Sequence, residues 1–529
     1  MKYFKNHLIV LSFIVLFTQC GVKQYPVSGN NKEEKGLAKR SLPNVIYINV
    51  DDLGYGDLGC YGATKVKTPN MDRLAKEGKR FTDFHSASAV CSPSRYALLT
   101  GQYPSRKNMW QPIFMRTPLV IDTAQMTIGK VMQNAGYQTA VIGKWHLGFG
   151  NTYPIDWNKD LKPGPLETGF NYYFGVPVLN SHPPFVYVEN HNVVGLVPED
   201  PIVYGRRAET EVFPEKFHID SIGGGKAAHA LYKDRMVGTT LKDKAVNWIE
   251  QHKDKPFFLY FAPTNIHHPF TPAPPFIGTS EAGPYGDFIH ELDWMVGELM
   301  ATLDREGLTE NTLVILTADN GGMFNQGGQE TWKMGHHQNG PLLGFKFDAW
   351  EGGHRVPFIA RWPGKIVASS QSGEMLCNID MLATLSALVD YTLKEGEGPD
   401  SYNALPAILG TPKDSIRDYL VISPVKSTHL AIRKGAWMYI PAQNSGGFSG
   451  TQIGKHELGG AAAHLLTKQV NSDIENGKVK PHAPPAQLYN LKSDPYQKKN
   501  LYNEHPEIAA QLKALLDDAI NSKTNTRKN

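Results

Sequence analysis

The chain has 529 residues with 54 lysines and arginines against 51 aspartates and glutamates, a balance that excludes the basic surplus of nucleic-acid-binding proteins. Hydrophobic residues make up 41% and charged residues 20%, which excludes a disordered protein, and four cysteines are too few for a disulfide scaffold. A chain of this length buries a large core, so a large, loop-rich globular enzyme is expected.

Residues 1–19 are predicted to be a signal peptide, because a basic start precedes an apolar run over Leu8–Phe17. That run is about half of the roughly 20 residues that a membrane-spanning helix needs. Cys20 follows directly and resembles the lipid-attachment cysteine of bacterial lipoproteins, although Gln19 is not the small residue usual before it. An ordinary cleaved signal peptide is the alternative. We predict an exported lipoprotein, periplasmic or on the cell surface, with 20–42 as a polar tether and lipid as its only membrane anchor.

Downstream of the tether, apolar runs of strand length alternate with helix-like stretches. The strands are predicted at 45–50, 139–142, 257–261, 312–316 and 356–360, and the helices at 70–77, 128–134, 242–251 and 288–305. This alternation predicts an α/β catalytic domain over 43–410 with a mainly parallel sheet. Two short strands and a final helix after it predict a smaller α+β domain over 411–529 with an antiparallel sheet.

Four of the predicted strands end in polar clusters. These clusters contain Asp51 and Asp52, Lys144 and His146, His267 and His268, and Asp319 and Asn320. Because open α/β sheets bind ligands beyond the carboxyl ends of their strands, we expect the clusters to meet in one pocket. The alternative for any single cluster is that it caps the next helix.

The chemistry of these clusters is coherent. The aspartates and the asparagine offer hard oxygen ligands, which suit Ca²⁺ or Mg²⁺ rather than zinc. Lys144 and His146 are one residue apart and point to the same side of an extended segment. A lysine beside a histidine near a metal indicates an anionic substrate and proton transfer.

A further segment carries Cys91-Ser92-Pro93-Ser94-Arg95, followed by Leu98-Leu99-Thr100-Gly101. Pro93 suits the first turn of a helix, which places Cys91 at a positive helix end. A buried structural cysteine is the alternative for this position. The segment resembles the signature of type I sulfatases, in which a maturation enzyme oxidises this cysteine to formylglycine.

The resemblance runs from about Asn44 to Leu501. It includes Asp51-Asp52-Leu53-Gly54-Tyr55-Gly56-Asp57, Gly143-Lys144-Trp145-His146-Leu147-Gly148, Thr317-Ala318-Asp319-Asn320-Gly321, Lys346 with Glu351-Gly352-Gly353-His354-Arg355-Val356-Pro357, and Gln487-Leu488-Tyr489-Asn490-Leu491. It implies an alkaline-phosphatase-like fold and one Ca²⁺ ion. One departure is Leu343, where many relatives carry arginine, and it bears on the substrate subclass.

The resemblance also implies roles for individual residues. Asp51, Asp52, Asp319, Asn320 and the formylglycine at Cys91 would hold the calcium. The formylglycine hydrate would attack sulfur, with Arg95 orienting it and Lys144 and Lys346 neutralising the sulfate. His267 would protonate the leaving oxygen, with His268 as its rival. His146 would remove a proton from the second hydroxyl, which expels sulfate and restores the aldehyde.

Substrate contacts are expected in the irregular loops. The candidates are Ser181, His182, Tyr187, His336, His337, Gln338, Asn339, His354 and Arg355, and loop packing is the alternative for at least half of them. Ser181 resembles a further sulfate-side residue. Cys60 and Cys377 are expected to be ordinary thiols.

The predicted substrate is a sulfated glycan, such as mucin or a glycosaminoglycan fragment, with sulfate at O4 or O6 of galactose or N-acetylgalactosamine. Three alternatives are an arylsulfatase with a non-glycan substrate, a phosphatase or phosphodiesterase of the same superfamily, and a glycan-binding lipoprotein without catalysis. The sequence leaves the oligomeric state open.

Overall fold

The computed structural model describes residues 42–206 and 222–522. The predicted signal peptide, Cys20 and all of the tether but its last residue lie outside the described residues. Among the described residues, no helix has both the length and the apolar character needed to cross a membrane.

The strands are numbered in chain order. They are β1 Asn44–Val50, β2 Lys79–Phe81, β3 Phe84–His85, β4 Gln138–Gly143, β5 Tyr172–Gly175, β6 Val188–Glu189, β7 Asn192–Val193, β8 Ile202–Tyr204, β9 Ile222–Gly224, β10 Phe257–Ala262, β11 Thr312–Ala318, β12 Phe358–Arg361, β13 Ser370–Ser372, β14 Leu376–Cys377, β15 Tyr419–Ile422, β16 Ala431–Lys434, β17 Trp437–Ile440, β18 Ile474–Glu475, β19 Lys478–Val479 and β20 Gln487–Asn490.

The α-helices are numbered in the same way. They are α1 Pro69–Glu77, α2 Cys91–Thr100, α3 Ile128–Asn134, α4 Lys226–Leu231, α5 Val237–His252, α6 Gly283–Arg305, α7 Gln326–Lys333, α8 Glu351–His354, α9 Met381–Leu388, α10 Leu405–Leu409, α11 Gly460–Thr467 and α12 Pro506–Asn521.

A ten-stranded sheet forms the centre of the molecule, in the order β13-β2-β12-β11-β1-β10-β4-β5-β6-β7. The five strands from β11 to β5 are parallel neighbours, which confirms the predicted mainly parallel sheet. The strand predicted at 356–360 corresponds to β12, and it differs from the others in direction, because it runs antiparallel to β11. Every residue of β1 is buried, as expected for a strand that is covered on both faces.

Two groups of helices flank this sheet. Helices α1, α5 and α7 each pack against α6, and α2, α3 and α10 each pack against α9 in the second group. Gly143 at the end of β4 shows how tightly the strands pack, because a Cβ atom there would lie 1.9 Å from the carbonyl oxygen of Ala262. Only glycine therefore fits at the end of β4, directly before Lys144 at the edge of the sheet.

The C-terminal region contains the predicted small antiparallel sheet, with strand order β15-β16-β17-β20 and α12 packed on β16 and β17. Its apolar face shares a core with Ala97 of α2 and with Trp350. The division of the chain at 410 and 411 stays a prediction.

A buried ion pair connects this small sheet to the rest of the molecule. The Nη1 and Nη2 atoms of Arg433 on β16 donate to the two carboxylate oxygens of Asp83, both at 2.7 Å. Burial alone would raise the pKa of the Asp83 carboxyl, but His85, Arg355 and Arg433 hold that pKa well below its usual range. The ionised carboxylate is thus stabilised in the folded state.

We expect Arg433→Met to lower the free energy of unfolding by about 3 kcal/mol, because Asp83 stays buried without its bidentate partner. Differential scanning calorimetry at neutral pH measures the effect. The contribution is complete above about pH 4, where the unfolded carboxyl is ionised, and is lost as the pH falls through the lower folded pKa. Lys434→Met, at the exposed neighbouring position, is the control, and an equal loss in both variants contradicts the prediction.

Candidate active site

The carboxyl ends of adjacent parallel strands bring the predicted polar clusters into one pocket. Asp51 and Asp52 follow β1, Lys144 follows β4 and Asp319 follows β11, and all four side chains are buried. Lys144 Nζ donates to both carboxylate oxygens of Asp51 at 2.9 and 2.8 Å. The backbone N–H of Asp52 donates to Asp319 Oδ1 at 3.2 Å. The expectation that these clusters converge is therefore confirmed.

Two further cations reach the carboxylates from outside these strands. Lys346 Nζ lies 2.5 Å from Asp52 Oδ1. Arg95 on α2 donates from Nε to Asp319 Oδ2 at 3.0 Å and from Nη1 to the carbonyl of Lys144 at 3.1 Å. Burial raises the pKa of Asp319, Arg95 opposes that rise, and the charge of Asp51 adds to it. Additional positive charge at this point would keep Asp319 ionised.

The oxygen atoms of the pocket fit a divalent cation. One oxygen each from Asp51, Asp52 and Asp319 lies within 4.8 Å of the others. Asp52 Oδ2 and Asn320 Oδ1 are buried and have no hydrogen-bond partner among the described residues. The Asn320 amide donates from Nδ2 to Asp52 Oδ1 at 2.8 Å, which orients that oxygen. Unsatisfied carboxylate and amide oxygens are the donor set of a Ca²⁺ or Mg²⁺ site.

Cys91 lies at the start of α2, a helix whose ten residues are all buried. The helix ends at Gly101, whose φ of 63° is the left-handed conformation common after a helix. Burial raises the pKa of the Cys91 thiol, and the positive charges of Lys144 and Lys346 oppose that rise. Cys91 thus shares its surroundings with the cations of the pocket, which favours the functional interpretation over a packing role.

Two histidines present a ring nitrogen to the pocket region. His267 Nδ1 lies 2.6 Å from the carbonyl oxygen of His268, so Nδ1 carries the hydrogen, and Nε2 lies 3.8 Å from Asp52 Oδ2. His146 Nε2 lies 2.8 Å from the carbonyl of Ile113, so its other nitrogen, which is buried without a partner, carries the lone pair. The pKa of both histidines is held well below the usual range. Burial is the larger cause, and the positive charge of nearby lysines is the second. A neutral His146 is suited to accept a proton.

Of the predicted substrate residues, Ser181 and His182 lie near the site. Ser181 Oγ and His182 Nδ1 are 2.9 Å apart. Burial lowers the pKa of His182 to about 4, and the charges of His456, Lys144 and Lys346 contribute. The positive charges of Lys144 and Lys346 therefore act on the His182 ring, which lies near the site.

Other candidates are occupied by packing contacts. Asn339 accepts a hydrogen bond from the N–H of Gly322 and donates to the carbonyl of Gly344, and Arg355 bonds to Thr82 and Glu351. His337 is exposed and stacks on Trp332, with ring centroids 3.9 Å apart. Further candidates with packing or structural contacts are Tyr187, His336, Gln338 and His354. For these residues the contacts favour the packing alternative.

One neighbour of the site, His456, lies in a segment that no sequence motif marks. The ring of His456 lies 5.0 Å from that of His268, centroid to centroid. His456 belongs to a C-terminal loop that carries no motif and no periodic pattern. Nothing in the linear sequence indicates its position, because it reaches the site only through the packing of the C-terminal region.

A family model described as Sulfatase matches residues 43–391. The chain belongs to the sulfatase family. It is a sulfuric ester hydrolase, in a family that generally uses formylglycine and a divalent metal, and this favours the sulfatase interpretation over the phosphatase alternative. The fold is the alkaline-phosphatase-like fold that the resemblance implied.

Two relatives and one solved structure illustrate the similarity. This sulfatase is 38% identical to N-acetylgalactosamine-6-O-sulfatase of Bacteroides thetaiotaomicron, over 98% of this chain and 99% of that protein. It is 33% identical to human arylsulfatase A, over 91% of this chain and 88% of that protein. A solved sulfatase structure, described with the metabolism of multiple glycosaminoglycans by Bacteroides thetaiotaomicron, has a TM-score of 0.80 and 37% identity, and the match covers 91% of this chain and 100% of that one.

We expect a divalent cation to stabilise this sulfatase through Asp52. Adding Ca²⁺ to chelator-treated protein should raise the midpoint of thermal unfolding, since a ligand at 100 times its Kd contributes about 2.7 kcal/mol. Asp52→Asn should abolish the shift. Asp293→Asn, which alters a buried carboxyl bonded to Asn70 and Met71, is the control and should retain it. An unchanged midpoint in the unaltered protein contradicts the metal site.

Proposed function

We propose that this sulfatase is exported and removes 6-O-sulfate from N-acetylgalactosamine or galactose residues of a glycan, such as a mucin or glycosaminoglycan fragment. The observation that carries the proposal is the match to an N-acetylgalactosamine-6-O-sulfatase along nearly the whole of both chains. Sulfate at O4 is the competing position. The export signal and the lipid on Cys20 remain predictions about the region before residue 42.

We assign the metal to Asp51, Asp52, Asp319 and Asn320, with Ca²⁺ as the ion. When present, formylglycine at position 91 supplies the oxygen nucleophile for sulfur and Ca²⁺ supplies positive charge for the bound anion. The maturation enzyme that makes formylglycine is a required partner in this proposal. The unpartnered oxygens of Asp52 and Asn320 support the metal assignment.

The basic residues of the pocket suit a sulfate group. Lys144 and Lys346 are buried and held by Asp51 and Asp52, so their ammonium groups are fixed before any anion arrives. Preorganised positive charge stabilises the extra negative charge that builds up on the sulfate oxygens in the transition state. Arg95, anchored on Asp319, would hold the nucleophile at the start of α2 in the correct orientation.

The two histidines divide the proton transfers. His267 is assigned as the acid that protonates the departing sugar oxygen. Its Nδ1–H stays bonded to the backbone, so the transferred proton is the one that Nε2 carries in the imidazolium form, which the negative charge of a bound sulfate ester would favour. His146 is assigned as the base that releases sulfate, because its unbonded nitrogen is buried near the two lysines. His268 stacks on His267, which suits a role in positioning rather than in proton transfer.

Matured protein should release sulfate from 6-sulfated N-acetylgalactosamine faster than from the 4-sulfated isomer, and Cys91→Ala should lose this activity. Ion chromatography of free sulfate measures both. Mass spectrometry of the peptide that spans Cys91 should show formylglycine. An unmodified thiol in active protein contradicts the proposed nucleophile, whereas a preference for the 4-sulfated sugar contradicts only the position.

The acid can be identified with a series of substituted phenyl sulfates, which contain no sugar. His267→Ala should lower kcat/KM by about 10²–10⁴-fold for the most basic leaving groups and far less for 4-nitrophenyl sulfate, whose oxygen departs without a proton. His268→Ala should leave the dependence on leaving-group basicity unchanged. A steeper dependence in His268→Ala alone would reverse the assignment.

A further inference from the structure

A circuit of side-chain contacts runs from the proposed acid to the sulfate-side lysine. His268 stacks on His267 with ring centroids 4.4 Å apart, and His456 lies 5.0 Å from His268. The ring centroids of Phe448 and His456 are 6.0 Å apart. The ring centroids of Phe347 and Phe448 are 4.6 Å apart, and Lys346 Nζ is 5.3 Å from the centroid of the Phe347 ring. We call His268, His456, Phe448 and Phe347 the rim cluster.

The rim cluster joins the two sides of the reaction. Lys346 contacts Asp52 at 2.5 Å, and Asp52 lies 3.8 Å from His267, which closes the circuit. In the proposed function, His267 protonates the oxygen that joins sulfur to the sugar. The leaving oxygen must then reach Nε2 of His267, and the sugar attached to it lies beside that ring. His268, His456 and Phe448 are the partly exposed members of the circuit, so they can meet a ligand that enters from solvent.

The chemistry of the rim cluster matches a sugar ring. Imidazole nitrogens both donate and accept hydrogen bonds, as hydroxyl groups require, and phenyl rings pack against the apolar face of a pyranose. His268 Nδ1 is buried and has no hydrogen-bond partner among the described residues. Such an atom is costly to leave unsatisfied, and a sugar hydroxyl or an ordered water would satisfy it.

The loop that carries His456 is fixed in place by α7. Gln329 on α7 is fully buried, donates to the carbonyl of Lys455 at 2.8 Å and accepts from the N–H of Gly454 at 2.7 Å. Leu458 packs with Trp332, also on α7, in a small apolar cluster. The loop is therefore preorganised, which reduces the entropy lost when a ligand binds.

We propose that His268, His456 and Phe448 form the binding site for the sugar that carries the sulfate ester, and that the C-terminal loop 450–458 contributes to sugar specificity through His456 alone. This inference rests on the proposed function, and it adds a recognition element from the C-terminal region. Gln329 acts as a positioning residue for that element.

The test compares a sugar sulfate with 4-nitrophenyl sulfate, which lacks a sugar. His456→Ala and Phe448→Ala should each lower the ratio of kcat/KM for 6-sulfated N-acetylgalactosamine to that for 4-nitrophenyl sulfate by about tenfold, the value of one lost neutral contact. The loss should appear mainly as a higher KM. His456→Gln, which retains a hydrogen-bonding side chain, should recover part of the ratio.

Controls separate binding from structure. Ile453→Ala changes a half-exposed residue of the same loop and should leave the ratio unaltered. Gln329→Ala should raise KM for the sugar sulfate, as His456→Ala does, with kcat for 4-nitrophenyl sulfate retained. Thermal unfolding of each variant identifies misfolding. If His456→Ala is misfolded, the conservative variant His456→Gln takes its place in the comparison.

Two failures are distinguishable. If the unaltered enzyme cleaves 4-nitrophenyl sulfate but no sugar sulfate, the proposed function is wrong, and the sugar-site proposal that rests on it is wrong as well. If the unaltered enzyme cleaves the sugar sulfate and the rim variants lose both activities equally, or neither, the proposed function stands and the sugar site is wrong.

Discussion

The burial of three carboxylates at one edge of the sheet is the constraint on which the rest of the site depends. Asp51, Asp52 and Asp319 are almost entirely excluded from solvent and lie within a few ångströms of one another. Such a group stays ionised only if positive charge compensates it. The compensating groups come from three different parts of the chain and are Lys144, Arg95 and Lys346. The oxygens left over are those that fit a divalent cation.

The topology of the sheet explains how this charge balance is assembled. Strands β11, β1, β10 and β4 are parallel neighbours, so residues far apart in sequence leave the sheet at the same edge. Helix α2 adds Cys91 and Arg95 from outside the sheet and is buried along its whole length. Because each cation is already bonded to a carboxylate, little reorganisation is needed when an anion binds, which is how preorganised sites favour a transition state.

The pocket has two sides with different origins. The sulfate side is built from the strand ends and α2, which carry the motifs shared with the sulfatase family. The leaving-group side begins at His267 and His268 and continues into His456 and Phe448 of the C-terminal region. Chemistry common to a family therefore resides in the sheet, whereas the contacts expected to distinguish substrates come from loops, which accept sequence change more readily.

The sequence by itself determined the parallel α/β core, the four polar strand ends and Cys91, because apolar runs and short motifs are local signals. It did not determine which loop residues face the substrate. Asn339 and Arg355 have the chemical character of sugar ligands, and only their bonds to backbone and to Glu351 favour packing roles. His456 shows the converse, since no local pattern marks a residue whose position depends on α7 and the C-terminal loop. Only the tertiary structure decided these cases, because side-chain partners distant in sequence are set by packing.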